Sequence, residues 1–482
     1  MNVYQKLVNK YKNSSNKVKS AIWYTICNFF QRGISVIVVP IYTRLLTTEQ
    51  YGSYMIWVAW LEIFEIFATF RLSWGGYTAG LVKYEDDRDR YTSSMQSLGF
   101  LITTISLCFY LTFYDFVNSL TGMSTIMTLI IFGLLYTSPA ISFWTARQRV
   151  EFKYKKVVVL TIASSVLIPL IGIGLISAFN EKELALINGR MVVQGFLGLY
   201  LLYINCKNDF TIYDREYWKR AILFNGSLIP YYLSLVVLHS SNRIIIERLV
   251  GKSAAGIFSV AFSAAMVMLL VNSALNATIQ PWLFSKIKAN DLGRVPQIAT
   301  ATLVLVAAIN LLLTAFAPEA VMLLAPPAYY EAIYVIPPIA ASVVVMFCYQ
   351  YFVNVEFYFE KGQFIAIASV AAAILNIVLN FMLIPIYGYQ VAGYVTLFCY
   401  MLFGVAHYFF MKYILKEMHV EASIVSVSQI GIVFVVYGLI AGVIALFYDN
   451  WMVRYSIILA IVLGLLLMRT SVLSLYSSLK KG

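Results

Sequence analysis

Apolar runs of about 20 residues, each closed by a short polar or charged stretch, recur from one end of the chain to the other. That length lets a helix cross the hydrocarbon core of a bilayer. The pattern predicts membrane-spanning helices at 21–43, 53–73, 94–114, 123–144, 157–178, 184–205, 218–240, 255–280, 297–317, 333–357, 363–385, 390–411, 425–447 and 452–472. The fold class is therefore all-α integral membrane, with about fourteen transmembrane helices. Every connecting loop is short. The longest, near 74–93 and 281–296, have room for an amphipathic turn but not for a folded domain outside the membrane.

Composition agrees and removes the soluble alternatives. The chain has 482 residues, 61% of them hydrophobic and 12% charged, with a mean hydropathy of +0.78, outside the range of soluble domains. The five cysteines mostly fall inside apolar runs without metal or disulfide spacing, and read as small core residues. A net charge of +12 could attract nucleic acid, but no nucleic-acid motif accompanies it. The positions of the charges give a different reason. With a cytoplasmic N-terminus, the cytoplasmic segments collect Lys6, Lys10, Lys12, Lys17 and Lys19, then Arg71 to Arg90, Arg147 to Lys156, Lys207 to Arg220, Lys286 to Arg294, and most of the later lysines. The opposite side keeps only Arg44, Lys182, Arg243, Arg248, Lys252 and Arg454. This bias predicts two cytoplasmic termini and an outward-facing loop at 318–331. No cleavable leader is expected at the N-terminus.

The chain also repeats itself. Ile41 to Leu46 followed by Tyr51-Gly52-Ser53-Tyr54 aligns without a gap with Ile245 to Val250 followed by Ala255-Gly256-Ile257-Phe258, Arg on Arg and Gly on Gly. Two parallel six-helix halves follow from this, plus two C-terminal helices: 1–20 a basic cytoplasmic N-terminus, 21–216 the first half, 217–420 the second, and 421–482 two added helices and a tail. Halves so related describe transporters that rock around a central site.

Three groups of residues carry a family resemblance. The first is Pro40, Arg44, Leu46, Glu49, Tyr51 and Gly52, and the second is Pro230, Asn242-Arg243, Gly251 and Gly256-Ile257-Phe258. The third is Asn376, Asn380, Ile384-Pro385, Gly388 and Ala392-Gly393. With these the chain resembles the multidrug/oligosaccharidyl-lipid/polysaccharide exporter superfamily, and most of all its polysaccharide-transporter branch of O-antigen and capsule repeat-unit flippases. Asn242 stands where Asp is usual, so a role needing a carboxylate there does not carry over. The resemblance implies passive or ion-coupled flipping of an undecaprenyl-diphosphate oligosaccharide in a bacterial cytoplasmic (inner) membrane.

Charges inside spans are costly and so carry the candidate chemistry. Tyr24, Asn28, Gln31, Arg32 and Ser35 form a polar stripe at helical spacing. Arg32 reads either as a cation for the carrier's diphosphate or as half of an internal ion pair with Glu62 or Glu65. Those two glutamates share a helix face, and serve either ion coupling or pairing with Arg32 or Arg71. Arg190, near the outer end of the sixth span, is a substrate candidate or a snorkelling interfacial charge. Arg44, Arg243, Glu247 and Arg248 at outer helix ends could form an outer gate or stand as ordinary interfacial charges. Glu356 and Glu360 read as a solvated helix end, and His239 and His407 as isolated, without metal spacing. Asn272 with Asn276 and Asn376 with Asn380 read as interhelical hydrogen bonders.

The substrate-binding set is thus Arg32, Asn28, Gln31 and Arg190, with no catalytic residue, metal or cofactor. No Walker A sequence is present, so a proton or sodium gradient, or product removal, would supply energy. The expected partners are the lipid-linked oligosaccharide, membrane lipids and polysaccharide polymerase machinery. A cation-coupled multidrug antiporter of the same superfamily is the alternative, with a membrane polysaccharide polymerase or ligase behind it. Arg32 weighs against the antiporter, and the short outer loops weigh against the enzyme.

Overall fold

The computed structural model describes residues 15–74, 76–420 and 423–467, and among them the chain is helical throughout. The expected basic residues Lys6, Lys10 and Lys12, and those at Arg469, Lys480 and Lys481, lie outside the described residues. In chain order the helices are α1 Asn16–Leu45, α2 Thr48–Thr69, α3 Gly76–Lys83, α4 Arg88–Thr112, α5 Tyr114–Thr121, α6 Thr125–Val150, α7 Tyr154–Gly174 and α8 Lys182–Cys206. They continue with α9 Arg215–Leu249, α10 Lys252–Lys288, α11 Val295–Ala315, α12 Ala317–Leu324, α13 Ile336–Tyr358, α14 Gly362–Tyr387, α15 Val391–Glu417, α16 Val427–Leu446 and α17 Trp451–Leu467. Short 3₁₀ turns cover Ile176–Ala178 and Pro327–Tyr334.

Twelve described helices are long and apolar enough to cross a membrane. The second and fourteenth expected spans fall on helices of a different kind. One is α2, which carries Glu49, Glu62 and Glu65. The other is α17, whose described part has 17 residues. α9 and α10, at 35 and 37 residues, exceed the roughly 20 that a bilayer needs. Their polar ends, Arg215 to Arg220 and Lys286 to Lys288, extend the helices without adding to the apolar signal. Local chemistry sets other boundaries. Ser124 caps α6, its hydroxyl accepting from the Met127 amide. Gly122 closes α5 at φ +66°, and prolines occupy the first turns of α11, α12 and α13. α2 stops four residues before its expected end because Phe70 and Arg71 both turn into left-handed backbone, at φ +50° and +44°.

The chain divides into two compact units: Met1–Val38 with Ser53–Leu233, and Val39–Gly52 with Ser234–Gly482. In the first, α8 packs on α6 and α7, and α4 on α6 and α8. Small residues let these helices touch. A Cβ on Gly189 would meet the Gly172 backbone at 2.4 Å, and one on Gly198 the Thr137 carbonyl at 2.4 Å. Side chains then satisfy neighbouring backbone: Trp57 Nε1 donates to Met127 O at 3.0 Å, and Asn205 Nδ2 to Ala140 O at 3.0 Å. In the second unit α13 packs on α10, α11 and α15, α14 on α15, and α16 on α11. The expected asparagine bonds are present. Asn272 Nδ2 donates to Val343 O at 2.9 Å, and Asn354 Nδ2 to Asn276 Oδ1 at 2.9 Å.

Candidate functional site

In the first unit the stripe on α1 is open. Asn28, Gln31, Arg32 and Ser35 are exposed, and Tyr24 is half-buried with the Arg149 guanidinium 5.4 Å from its ring centre. Arg32 has no hydrogen bond or ion pair among the described residues, so its pairing with Glu62 or Glu65 is not formed. Phe29 and Phe30 on the same helix are exposed too. Exposure alone therefore does not distinguish the faces, but chemistry does: the phenylalanines can meet acyl chains and the guanidinium cannot without large cost.

The carboxylate of Glu65 takes Arg71, the other cation expected for it. Arg71 Nη2 lies 3.8 Å from Glu65 Oε2, and Arg71 is 8% exposed. Its guanidinium also lies 4.6 Å from the Trp74 ring and 5.4 Å from the Tyr232 ring. The left-handed turn at Phe70 and Arg71 folds this side chain back toward α2, a geometry that helical spacing does not reveal. Glu62 and Arg190 are close enough to act electrostatically on Glu65. Arg190 is half-buried and donates from Nε to Gln194 Oε1 at 3.1 Å. The structure thus gathers Glu62, Glu65, Arg71 and Arg190, of which Arg71 was absent from the predicted binding set.

In the second unit the four expected gate residues have the following neighbours. Arg44 gives its guanidinium to carbonyls, of Pro40 at 2.9 Å, Leu323 at 3.2 Å and Met322 at 3.5 Å, and so caps the last turn of α12. The Arg243 guanidinium is buried 4.8 Å from the Phe262 ring centre. Glu247 is near Arg248 and Lys252. Deeper in, Asn380 Nδ2 donates to Asn242 Oδ1 at 2.9 Å, and Asn242 Nδ2 to Thr396 Oγ1 at 2.7 Å. The Asn found where the family resemblance leads one to expect Asp therefore both donates and accepts as a neutral hydrogen-bonding group.

One reading from the sequence needs correction. Glu356 is not a solvated helix end: it is fully buried, and His407 Nδ1 lies 2.6 Å from its Oε1. Glu360, by contrast, is exposed. The signal for Glu356 was available, since it falls inside the span expected at 333–357. No group of three His, Cys, Asp or Glu that could hold a metal exists among the described residues.

A family model described as "Polysaccharide biosynthesis protein" matches residues 17–288, more than half of the chain. No curated protein sequence matches it. Among solved structures, a lipid II flippase MurJ in an inward closed conformation is similar, with a TM-score of 0.61 at 15% identity, over 90% of this chain and 100% of that one. An inward-facing multidrug resistance MATE family transporter of the MOP superfamily gives 0.60 at 12%, over 83% and 96%. A MOP superfamily transporter from Pyrococcus furiosus gives 0.57 at 12%, over 86% and 98%. At these identities the likeness is one of fold, and the fold is that of the superfamily's transporters and flippases.

Proposed function

The chain belongs to the polysaccharide biosynthesis protein family, and from that premise we propose that it flips a lipid-linked oligosaccharide across a membrane by alternating access. The substrate class in this reading is an undecaprenyl-diphosphate-linked repeat unit of O-antigen or capsule, moved from the cytoplasmic to the outer leaflet of a bacterial cytoplasmic membrane. The observation that carries the reading is Arg32, a fixed positive charge in a polar stripe that no carboxylate of the described chain neutralises. A diphosphate leaving water needs such a partner, and a guanidinium offers two parallel donors to it. An exporter of organic cations calls for the opposite sign. In this chain the acidic position Glu65 already faces Arg71 and the charge of Arg190. Polymerase machinery would take the product on the far side, and an ion gradient or product removal would drive the cycle.

The test is reconstitution of the full chain in proteoliposomes holding a diphosphate-linked oligosaccharide, with headgroup exposure followed by an externally added glycosidase. Protein-dependent exposure of the inner-leaflet pool is the expected result. Extrusion of an organic cation with no headgroup exposure would instead identify the antiporter.

Orientation follows the charge bias. With both termini cytoplasmic, a cysteine introduced as Ala328→Cys should react with an impermeant maleimide added to intact cells. Labelling only after permeabilisation would reverse the topology.

A further inference from the structure

The second unit holds a titratable pair that the substrate reading does not use. Glu356, two residues before the end of α13, and His407, well inside α15, are each 0% exposed, joined through Nδ1 and Oε1. Their outer atoms, Glu356 Oε2 and His407 Nε2, are buried and have no hydrogen-bond partner among the described residues. Aromatic rings enclose the imidazole. Tyr349 stacks on it at 5.9 Å, and Phe403 and Phe410 stand edge-on at 4.3 and 6.3 Å.

Apart from Tyr349, whose ring stacks on the imidazole, the titratable groups on the packed helices stand apart from the hydrogen bond that joins the pair. On α13 the Tyr351 hydroxyl bonds Thr302, and Cys348 lies in apolar surroundings. α15 contributes Cys399, Tyr400 and Tyr408, with the Lys412 ammonium 5.7 Å from the Tyr408 ring centre. α14 has Tyr387 at its end, and α11 has no titratable residue. On α10 the ammonium of Lys286 is bonded to Asp291 at 2.5 Å, and Lys288 closes the helix. On α16 the Tyr437 hydroxyl bonds Asn310. Beyond α13, Lys361 pairs with Glu417 at 2.8 Å. None of these groups is bonded to Glu356 or His407.

The charge balance follows. If Nδ1–H donates to the carboxylate and Nε2 is bare, the pair carries one net negative charge in an apolar setting with no cation bonded to it. A proton on Nε2 makes the pair neutral, which removes most of the cost of an uncompensated buried charge. We propose that Glu356 and His407 form a proton-binding site, occupied and occluded in this conformation, that loads and unloads during the transport cycle. Loading transfers a proton from hydronium to Nε2 and leaves water, with Glu356 as the counter-charge; unloading reverses this. Because both outer atoms are sealed, exchange requires α13 and α15 to open toward water, which ties occupancy to conformation. Only the link to the cycle rests on the flippase reading.

The chain has three histidines, so isotope-labelled histidine gives a sparse nitrogen spectrum, assigned by His239→Gln and His419→Gln. Purified full-length protein should show a protonated, slowly exchanging His407 Nε2 at neutral pH, and Glu356→Gln should release that proton. In proteoliposomes, a transport rate that changes with pH, by up to about tenfold per pH unit as the limit for one proton, should become flat in the Glu356→Gln/His407→Gln double variant. A bare Nε2 throughout about pH 5 to 8, where histidine ordinarily changes charge, overturns the site. A double variant with the wild-type pH profile overturns the link to the cycle. A profile flattened instead by Glu62→Gln or Glu65→Gln moves the proton site to α2 and overturns the assignment. The spectrum, assigned with the two histidine variants that leave the pair intact, needs no substrate, so it decides the site even if the double variant fails to fold or no headgroup is flipped.

Discussion

Gly256→Val is expected to remove nearly all of the protein from the membrane. A Cβ at Gly256 would lie 2.3 Å from the carbonyl oxygen of Thr48, and one at Gly52 would lie 1.9 Å from the carbonyl oxygen of Lys252. Both obstacles are backbone atoms of helices, which cannot rotate aside as a side chain would. Neither glycine has a positive φ, so close approach is the reason for glycine here. The contact is reciprocal. Thr48 and Lys252 differ by 204 positions (252 − 48), as do Gly52 and Gly256 (256 − 52), and each member of one pair meets the other member of the second. Self-complementary contacts of this kind arise where a two-fold relation acts. The hydroxyl of Ser253 adds a 2.8 Å bond to that of Thr48. Overpacking typically costs about 1–3 kcal/mol, and a valine against fixed carbonyls falls at or above the upper end. Gly256→Ala should be milder. Gly442→Ala, which meets nothing within 4 Å, should leave abundance unchanged. Detergent-solubilised, fluorescence-tagged variants run on a sizing column check all three, and a normal monodisperse peak for Gly256→Val would contradict the argument.

The equivalence of Gly52 and Gly256 was legible in the sequence, because the gapless alignment of Ile41 to Tyr54 with Ile245 to Phe258 sets one on the other, but their close approach was not. The spans were legible too, since about 20 apolar residues leave a periodic signal whatever surrounds them. Helix ends were less so. α9 and α10 run past the apolar signal because a helix continues into water on hydrogen bonds alone, and polar residues do not stop it. The turn at Phe70 and Arg71 left no mark, as neither residue is a glycine. The sequence offers Arg71 beside Arg32 as a partner for these glutamates, and the choice of Arg71 for Glu65 depends on that turn. Glu356 and His407 lie 51 positions apart on different helices. Only the packing of α13 on α15 joins them, and a single sequence carries no record of it.

Arg32→Ala is expected to abolish export of the lipid-linked sugar in cells while the protein stays in the membrane. The structure sharpens this outcome. Had Arg32 been half of a buried ion pair, its removal would leave an uncompensated carboxylate and destabilise the fold by about 3–5 kcal/mol. Its side chain is exposed and has no partner among the described residues, and Glu65 keeps Arg71 at 3.8 Å without it. Abundance should therefore change little, so that loss of export reports on substrate rather than on folding. Arg32→Lys should retain part of the activity, since an ammonium keeps the charge but gives up the planar two-donor grip on phosphate. Asn28→Ala and Gln31→Ala, on the same stripe, remove neutral donors and should lower export less than Arg32→Ala. Export is read from surface polysaccharide and membrane abundance from an immunoblot of the same cells. Normal export by Arg32→Ala at normal abundance would show that this charge is not part of the substrate path. Loss of Arg32→Ala from the membrane, with rescue by a second change at Glu62 or Glu65, would establish an ion pair in another conformation of the cycle and withdraw the charge that carries the flippase reading.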